Sequence, residues 1–299
     1  MPPITLLFSV FGIAFLYASV GFGGATGYLA VMSLFDIPIQ IMASTALILN
    51  LFVSSISFAT YYRAGHFKGE LLWPFLITSV PAAFLGGYMR LNDTIYYLLL
   101  YSVLIFVMLR MLFFSKLEDD EKLLRPLPLP VGFLSGAIIG LLSGMVGIGG
   151  GIFLSPLIIL VRWGKTKQAS TVASAFIFIN SASGLIGRLL GGNFTLNDLG
   201  LYLLPLGVLA AFGGAYLGAK KLSSIGLRRL LGLVLLIVHL FNMCALAIKT
   251  NLVIPAVYIV AAYLLLLFIL FIIYINDSML FYLMLSPSIF LYPLMREER

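Results

Sequence analysis

The sequence has a single cysteine and few charged residues. Cys244 has no second cysteine with which to form a disulfide within the chain. Only 10% of the 299 residues are charged, whereas 62% are hydrophobic and the mean hydropathy is +1.11. The apolar runs are long, poor in charge and without the two-residue alternation of barrel strands. The composition therefore predicts an all-α polytopic membrane protein.

Acidic residues are missing from the middle of the apolar segments. All 11 Asp and Glu residues lie at segment ends or in loops. The chain has no HExxH motif, no intramembrane aspartate pair and no Walker motif, so we expect neither an intramembrane protease nor an ATP-driven pump. We predict no enzymatic activity, no cofactor and no metal site. The net charge of +7 comes from Lys and Arg scattered in short loops, which indicates membrane orientation and no nucleic-acid partner.

The charged residues that do cluster divide the chain into two halves. The stretch SKLEDDEKLLRPLPLP predicts a linker at 115–130. It separates an N-terminal repeat (1–114) from a C-terminal repeat (131–248), and one or two further helices are expected in an extension (249–299).

Four short motifs recur in the same order on both sides of the linker, which indicates a duplication. GFGGA (21–25) matches GIGGG (147–151), and ASTALILN, ending at Asn50, matches ASAFIFIN, ending at Asn180. GHF is followed by AAFLGGY in the first half, as GNF is followed by AAFGGAY in the second. Each half is expected to contain one glycine-broken helix and about three transmembrane helices.

The glycine motifs interrupt segments of unusual length. Residues 4–35 are too many for one membrane span of about 20 residues and too few for two. A helical hairpin that re-enters the membrane fits this length, and a discontinuous helix that crosses is the alternative. If both hairpins return, 13 of the 18 Lys and Arg residues fall on one face. The positive-inside rule then predicts an inverted repeat in the inner (plasma) membrane, with the N-terminus outside and the linker and most basic loops cytoplasmic.

The second glycine motif resembles a known signature. GLLSGMVGIGGGIFLSPLIIL (140–160), followed by ASAFIFINSASGLIG (173–187), resembles the TauE/SafE sulfite exporter (TSUP) family over about residues 4–248. The first-half motif departs from the family pattern, with Ala25 and Thr26 where a fuller glycine run is common. The resemblance implies an inner-membrane protein that moves sulfite, organosulfonates or related anions.

A broken helix inside a membrane presents free backbone amides and a positive dipole end, which together suit an anion. Glycines that only permit close helix packing are the alternative. Asn and Ser on the helix after each break supply further donors, or interhelical hydrogen bonds, and Arg188 either attracts anions or extends to the interface. The candidate substrate-binding residues are Gly23, Gly24, Thr26, Ser44, Asn50, Gly149, Gly150, Gly151, Ser174, Asn180 and Arg188.

These observations predict a secondary transporter that exports a small anion bound between the two breaks. A sulfur oxyanion or organosulfonate is the expected substrate. The alternatives are a carrier or channel for another small organic anion and a membrane scaffold or receptor subunit without transport. The expected partners are the anion, membrane lipid and, for a homo-oligomer, further copies of the chain.

Overall fold

The structure is a computed structural model that describes residues 2–113 and 124–220. All regular elements within these two ranges are helical. The centre of the predicted linker, the apolar segments predicted after residue 220 and the predicted extension at 249–299 lie outside the described residues.

The described part of the first half contains two helices separated by a glycine break, then three further helices. Three residues ahead of the fourth helix, Gly69–Leu71, form a 3₁₀ turn. The helices are α1 (Ile4–Val20), α2 (Ala25–Leu34), α3 (Ile39–Arg63), α4 (Trp73–Tyr88) and α5 (Asp93–Phe113).

The described part of the second half repeats this order. The helices are α6 (Leu129–Val146), α7 (Gly151–Leu160), α8 (Thr166–Leu190) and α9 (Asp198–Lys220). The lengths of the first three agree with those of the first half, with 18, 10 and 25 residues against 17, 10 and 25. α6 begins two residues before the boundary predicted at 131.

Four of the described helices are long and apolar enough to cross a membrane, namely Ile39–Arg63, Leu129–Val146, Thr166–Leu190 and Asp198–Ala219. The prediction of an all-α polytopic membrane protein is therefore confirmed. Many large apolar side chains, such as Phe8 and Leu134, point outward, as they do on helices that face lipid.

Glycine contacts show that α1, α3 and α9 run in the same direction. A Cβ at Gly214 or Gly218 of α9 would collide with the backbone of Phe15 or Ser19 of α1, so residue numbers rise together along the two helices. α3 and α9 likewise pair Thr45 with Gly200 and Leu49 with Gly207.

A second group, α4, α6 and α8, also shares one direction. Gly136 and Gly144 of α6 approach the backbones of Phe75 and Ala83 of α4. Gly187 and Gly191 of α8 approach Phe84 and Tyr88 of α4 in the same rising order. Small residues at four-residue spacing let these helices pack backbone to backbone.

The two groups run in opposite directions. In the pair formed by α3 and α8, Asn50 contacts Ser181 and Leu47 contacts Gly184, so one number rises as the other falls. Each of these helices therefore runs antiparallel to its counterpart in the other half: α1 to α6, α3 to α8 and α4 to α9. Opposed counterparts are what an inverted repeat requires.

The shared direction of α1 and α3 has a consequence for the break between them. The chain must return before α3 begins, so α1 and α2 together do not cross to the far side. We call the end of the molecule at which α1, α3 and α9 begin the N-terminal face, and the other end the opposite face.

Candidate functional site

The first glycine break joins α1 to α2 and turns the chain back. Gly21 ends α1 and Gly24 precedes α2, both in the left-handed region with φ of 88° and 97°. A side chain with a Cβ is strained there, and glycine is not. A Cβ at Gly27 would lie 2.5 Å from Cγ2 of Ile13, which lies two turns before the end of α1. The chain therefore reverses at the break, as a re-entrant segment must.

The second break repeats this geometry. Gly147, Gly149 and Gly150 have φ of 89°, 75° and 76°. A Cβ at Gly150 would lie 2.8 Å from Cγ2 of Ile139, again two turns before the end of the preceding helix. The residues of both breaks are buried.

The two breaks meet at the side chain of Asn50. Its Oδ1 accepts a hydrogen bond from the amide of Ala25 at the start of α2, at 3.2 Å. Its Nδ2 donates to the carbonyl of Ile148 in the second break, at 3.2 Å, and to Oγ of Ser181, at 3.4 Å. One buried amide side chain thus links two segments that are 98 residues apart in sequence.

Ile177 of α8 packs against the same place. Its Cγ2 would lie 2.9 Å from a Cβ at Gly23 and 2.8 Å from one at Gly149, and its Cγ1 would lie 2.5 Å from one at Gly151. Three of the predicted glycines, one from the first half and two from the second, are therefore brought together around one side chain.

Side chains bond within the first break. The hydroxyls of Tyr17 and Thr26 are 2.6 Å apart, and Tyr28 donates to the carbonyl of Gly23 at 2.9 Å. The amide of Ala25 is held by Asn50, but the N–H groups of Gly23, Gly24, Thr26 and Gly27 have no acceptor among the described residues.

The second break also leaves backbone donors free. In the described ranges, the N–H groups of Gly149, Gly150, Gly151 and Ile152 have no acceptor. The next two amides, those of Phe153 and Leu154, both donate to the carbonyl of Gly150. Uncovered amides at the start of a helix form a partial positive charge.

Ser143, beside the second break, and Asn180, on α8, also have unpaired polar atoms. Among the described residues, neither Oγ of Ser143 nor Oδ1 of Asn180 has a hydrogen-bond partner, although both residues are fully buried. Ser143 lies against Gly150, since a Cβ built at Gly150 would be 3.3 Å from the Cβ of Ser143. The amide nitrogen of Asn180 donates to the carbonyl of Phe176 within its helix, at 2.9 Å. Buried polar atoms without partners are uncommon and point to a missing ligand or to water.

Ser44 and Ser174 are also buried, but their hydroxyls are used within the protein. Oγ of Ser44 accepts from the amide of Thr195, at 3.2 Å, and Oγ of Ser174 donates to the carbonyl of Thr171, at 2.9 Å. Their proposed contact with substrate stays a prediction.

Arg188 lies inside the protein and caps the helix that leads into the second break. It is 5% exposed, and its Nη2 donates to the carbonyls of Gly144 and Met145, at 3.2 and 2.8 Å. Tyr96 donates to the carbonyl of Val146, at 3.0 Å. The side chain of Arg188 thus turns into the protein instead of extending to the membrane interface. Its positive charge lies at the C-terminus of α6, where a cation is favourable.

A cavity of about 200 Å³ opens beside Arg188 on the N-terminal face. It lies where α3 and α5 begin and α4 and α8 end. Its lining consists of Ile39, Gln40, Met89, Arg90, Leu91, Tyr96, Met145, Arg188, Gly192 and Asn193.

Comparison with known proteins assigns the family. The sequence profile of the sulfite exporter TauE/SafE family matches residues 6–242, which is most of the chain. This chain belongs to the TauE/SafE family. The match spans both glycine breaks and the predicted linker.

Curated relatives of this TauE/SafE protein are named as membrane transporters. A probable membrane transporter protein of Sinorhizobium fredii, y4hK, is 34% identical over 78% of this chain and 95% of its own. Similar proteins occur in Methanocaldococcus jannaschii (MJ0441, 31% identical over 42% of this chain and 48% of its own) and Bacillus subtilis (YunE, 25% identical over 60% and 71%). No solved structure matches the chain. These relatives support a membrane transporter and agree with the prediction that the chain is not an enzyme.

Sequence reasoning missed several residues of this TauE/SafE site. Tyr17 and Tyr28 could have been identified from the sequence, because they are the only tyrosines within two helical turns of the first glycine motif. Ser143 stands four residues before Gly147, inside the quoted family signature. Ile177 carries no polar group, so only the packing of α8 against both breaks identifies it.

Proposed function

We propose that this protein is a secondary transporter that exports a small anion, a sulfur oxyanion or organosulfonate, bound between the two glycine breaks. The observation that carries the proposal is the row of unbonded, buried amides from Gly149 to Ile152 at the start of α7.

Hydrogen-bond number and charge favour a compact oxyanion at this place. Backbone N–H groups at a helix start, together with the hydroxyl of Ser143, supply several donors at one point. Sulfite and sulfonate groups each offer three oxygen acceptors, and the dipole of α7 favours their negative charge. The free Oδ1 of Asn180 is an acceptor and suits an anion that carries a proton. Burial raises the strength of each of these contacts because water does not screen them.

Both breaks take part in this proposal in different ways. Asn50 holds the first break and the second together, so the two breaks are fixed against each other in the described conformation. A carrier of this kind releases its substrate when one repeat moves relative to the other. Breaking the Asn50 link is then part of opening the site.

The decisive test removes the unpaired hydroxyl of the second break. Ser143→Ala deletes no hydrogen bond within the protein, so the thermal unfolding temperature should change little. We expect the half-saturating sulfite concentration for efflux from proteoliposomes to rise about tenfold, the effect of one lost hydrogen bond to a charged group.

Ser79→Ala is the matched control. Ser79 is also fully buried with an unpaired hydroxyl, but it lies on α4 against Gly140, away from the break. Its flux should equal that of the wild type. Equal effects of the two variants would contradict the site. Efflux of a carboxylate in preference to sulfite would favour a carrier for another organic anion, and no flux of either would favour a scaffold.

The membrane potential is the proposed driving force. Each negative charge that leaves a negative interior gains about 2.3 kcal/mol per 100 mV. Sulfite efflux from proteoliposomes with a clamped potential should therefore accelerate when the interior is made negative. Efflux that ignores a step from zero to about −100 mV would contradict potential-driven export.

A further inference from the structure

We infer a second anion-binding site in the cavity beside Arg188 on the N-terminal face, separate from the glycine breaks. Its ligand is a small oxyanion, either free in solution or in the headgroup of an anionic lipid. The inference goes beyond the proposed central site and does not depend on transport through it.

A buried, incompletely paired arginine forms the inner wall of this cavity. Arg188 is 5% exposed, and its Nε has no hydrogen-bond partner among the described residues. Two backbone carbonyls accept from its Nη2, but a carbonyl does not neutralise the charge. A buried cation with a free donor is costly unless an anion compensates it.

A second arginine forms the outer wall. Arg90, at the end of α4, lines the same cavity, and its guanidinium is held in place by the carbonyls of Gly191 and Gly192, at 3.2 to 3.4 Å. No Asp or Glu is among the described residues that line the cavity. The cavity therefore carries two positive charges, one buried and one exposed, without a protein carboxylate to balance them.

The remaining polar lining suits an oxyanion. Gln40 brings an amide donor to the wall, whereas the amide nitrogen of Asn193 is used by the carbonyls at the end of α4 and helps to hold that end in place. A volume of about 200 Å³ admits a sulfate-sized anion with some of its water. Paired arginines are the usual protein ligands of such anions, because their N–H groups form a fixed fork.

The position of the cavity suggests what the second site does. Its inner end is formed by Met145, in the last turn of α6 before the second break, and by Arg188 of α8. This role, unlike the binding itself, rests on the proposed central site: an anion held in the cavity lies between that site and the N-terminal face. The cavity is then a vestibule in which an anion waits on entering or leaving that site.

The test uses a thiol reporter in the full-length protein. Gln40→Cys is introduced in a Cys244→Ser background, and its modification by a membrane-impermeant thiol reagent is measured in phosphatidylcholine proteoliposomes. Gln40 is exposed, so the reagent can reach the reporter. We expect sulfate to slow modification in a saturable manner.

Arg90→Gln in the reporter background should raise the half-protecting sulfate concentration about tenfold, as expected for the loss of one charged donor. Arg63→Gln, an exposed arginine at the end of α3 on the opposite face, is the matched control and should leave it unchanged. Arg188→Gln should abolish protection, but it also uncaps α6, so the Arg90 variant is the one that decides. Protection that does not saturate, or that is equal in the Arg90 and Arg63 variants, would overturn the site.

Two further arms identify the source of the anion and separate the two proposals. Protection without sulfate in phosphatidylglycerol vesicles would assign the site to a lipid headgroup, whereas dependence on sulfate in both lipids would assign it to a free anion. Ser143→Ala should leave the half-protecting concentration unchanged. If that variant also had normal flux, the central site would fail while the vestibule remained.

Discussion

The two glycine breaks have nearly the same backbone and opposite surroundings. Gly21 and Gly147 share φ of 88° and 89°, and each break reverses its chain against an isoleucine two turns back. Both breaks leave backbone amides without an acceptor among the described residues. In the first, however, Tyr17 bonds to Thr26 and Tyr28 to a backbone carbonyl, whereas the hydroxyl of Ser143 beside the second is unpaired. The side chains around the breaks, and not their backbone conformation, therefore distinguish them.

The difference follows from a few matched positions. Aligning GFGGA with GIGGG places Ser143 where the first half has Tyr17, and Leu154 where it has Tyr28. Serine is too short to span the break as the phenol of Tyr17 does, and leucine has no hydroxyl for the backbone carbonyl. The two tyrosines therefore bond within the first break, and the matched residues of the second cannot form the same bonds.

The two equivalent asparagines also differ. Asn50 reaches into both breaks, whereas the amide nitrogen of Asn180 donates to Phe176 in its own helix. The first-half asparagine is a structural link, and the second-half asparagine keeps a free oxygen. This contrast can be tested by exchanging single side chains.

The largest effect is expected from Asn50→Leu. The change leaves the amide of Ala25 and the carbonyl of Ile148 buried without partners, at about 1–3 kcal/mol each, so the protein should lose several kcal/mol of stability. Asn180→Leu removes one bond within a helix and should destabilise much less. Thermal unfolding of both variants in detergent measures the difference. Equal losses would remove the distinction between the two asparagines.

An intermediate effect is expected from Tyr28→Phe. The carbonyl of Gly23 loses its partner, so unfolding should become easier by about 1–3 kcal/mol. Sulfite flux at saturation should be unchanged, since the first break binds no substrate through this group. Ser143→Ala should show the reverse pattern, with normal stability and weaker sulfite affinity. A loss of affinity in Tyr28→Phe would mean that both breaks bind the anion directly.

The smallest effect is expected from Thr26→Val. It removes the hydroxyl that bonds Tyr17 and keeps the shape of the side chain, which should cost about 1 kcal/mol of stability. The half-saturating sulfite concentration should stay at the wild-type value. If it rose instead, Thr26 would contact the anion, as the sequence predicted.

Much of the fold was predictable because its signals are local. Long apolar runs poor in charge indicated an all-helical chain, and the excess length of residues 4–35 favoured chain reversal at the glycines. The candidate site was predictable only in outline. Gly23, Gly149 and Gly151 do meet, but Asn50 and Thr26 turn out to be bonded within the protein.

By itself, the sequence determined where the backbone breaks, since positive φ at glycine and the length of an apolar run are properties of neighbouring residues. Only the tertiary structure decided which polar groups around each break are paired and which are not. That outcome depends on side chains brought together from both halves, such as Asn50 with Ile148 and Arg188 with Gly144, and no spacing in the chain encodes such contacts.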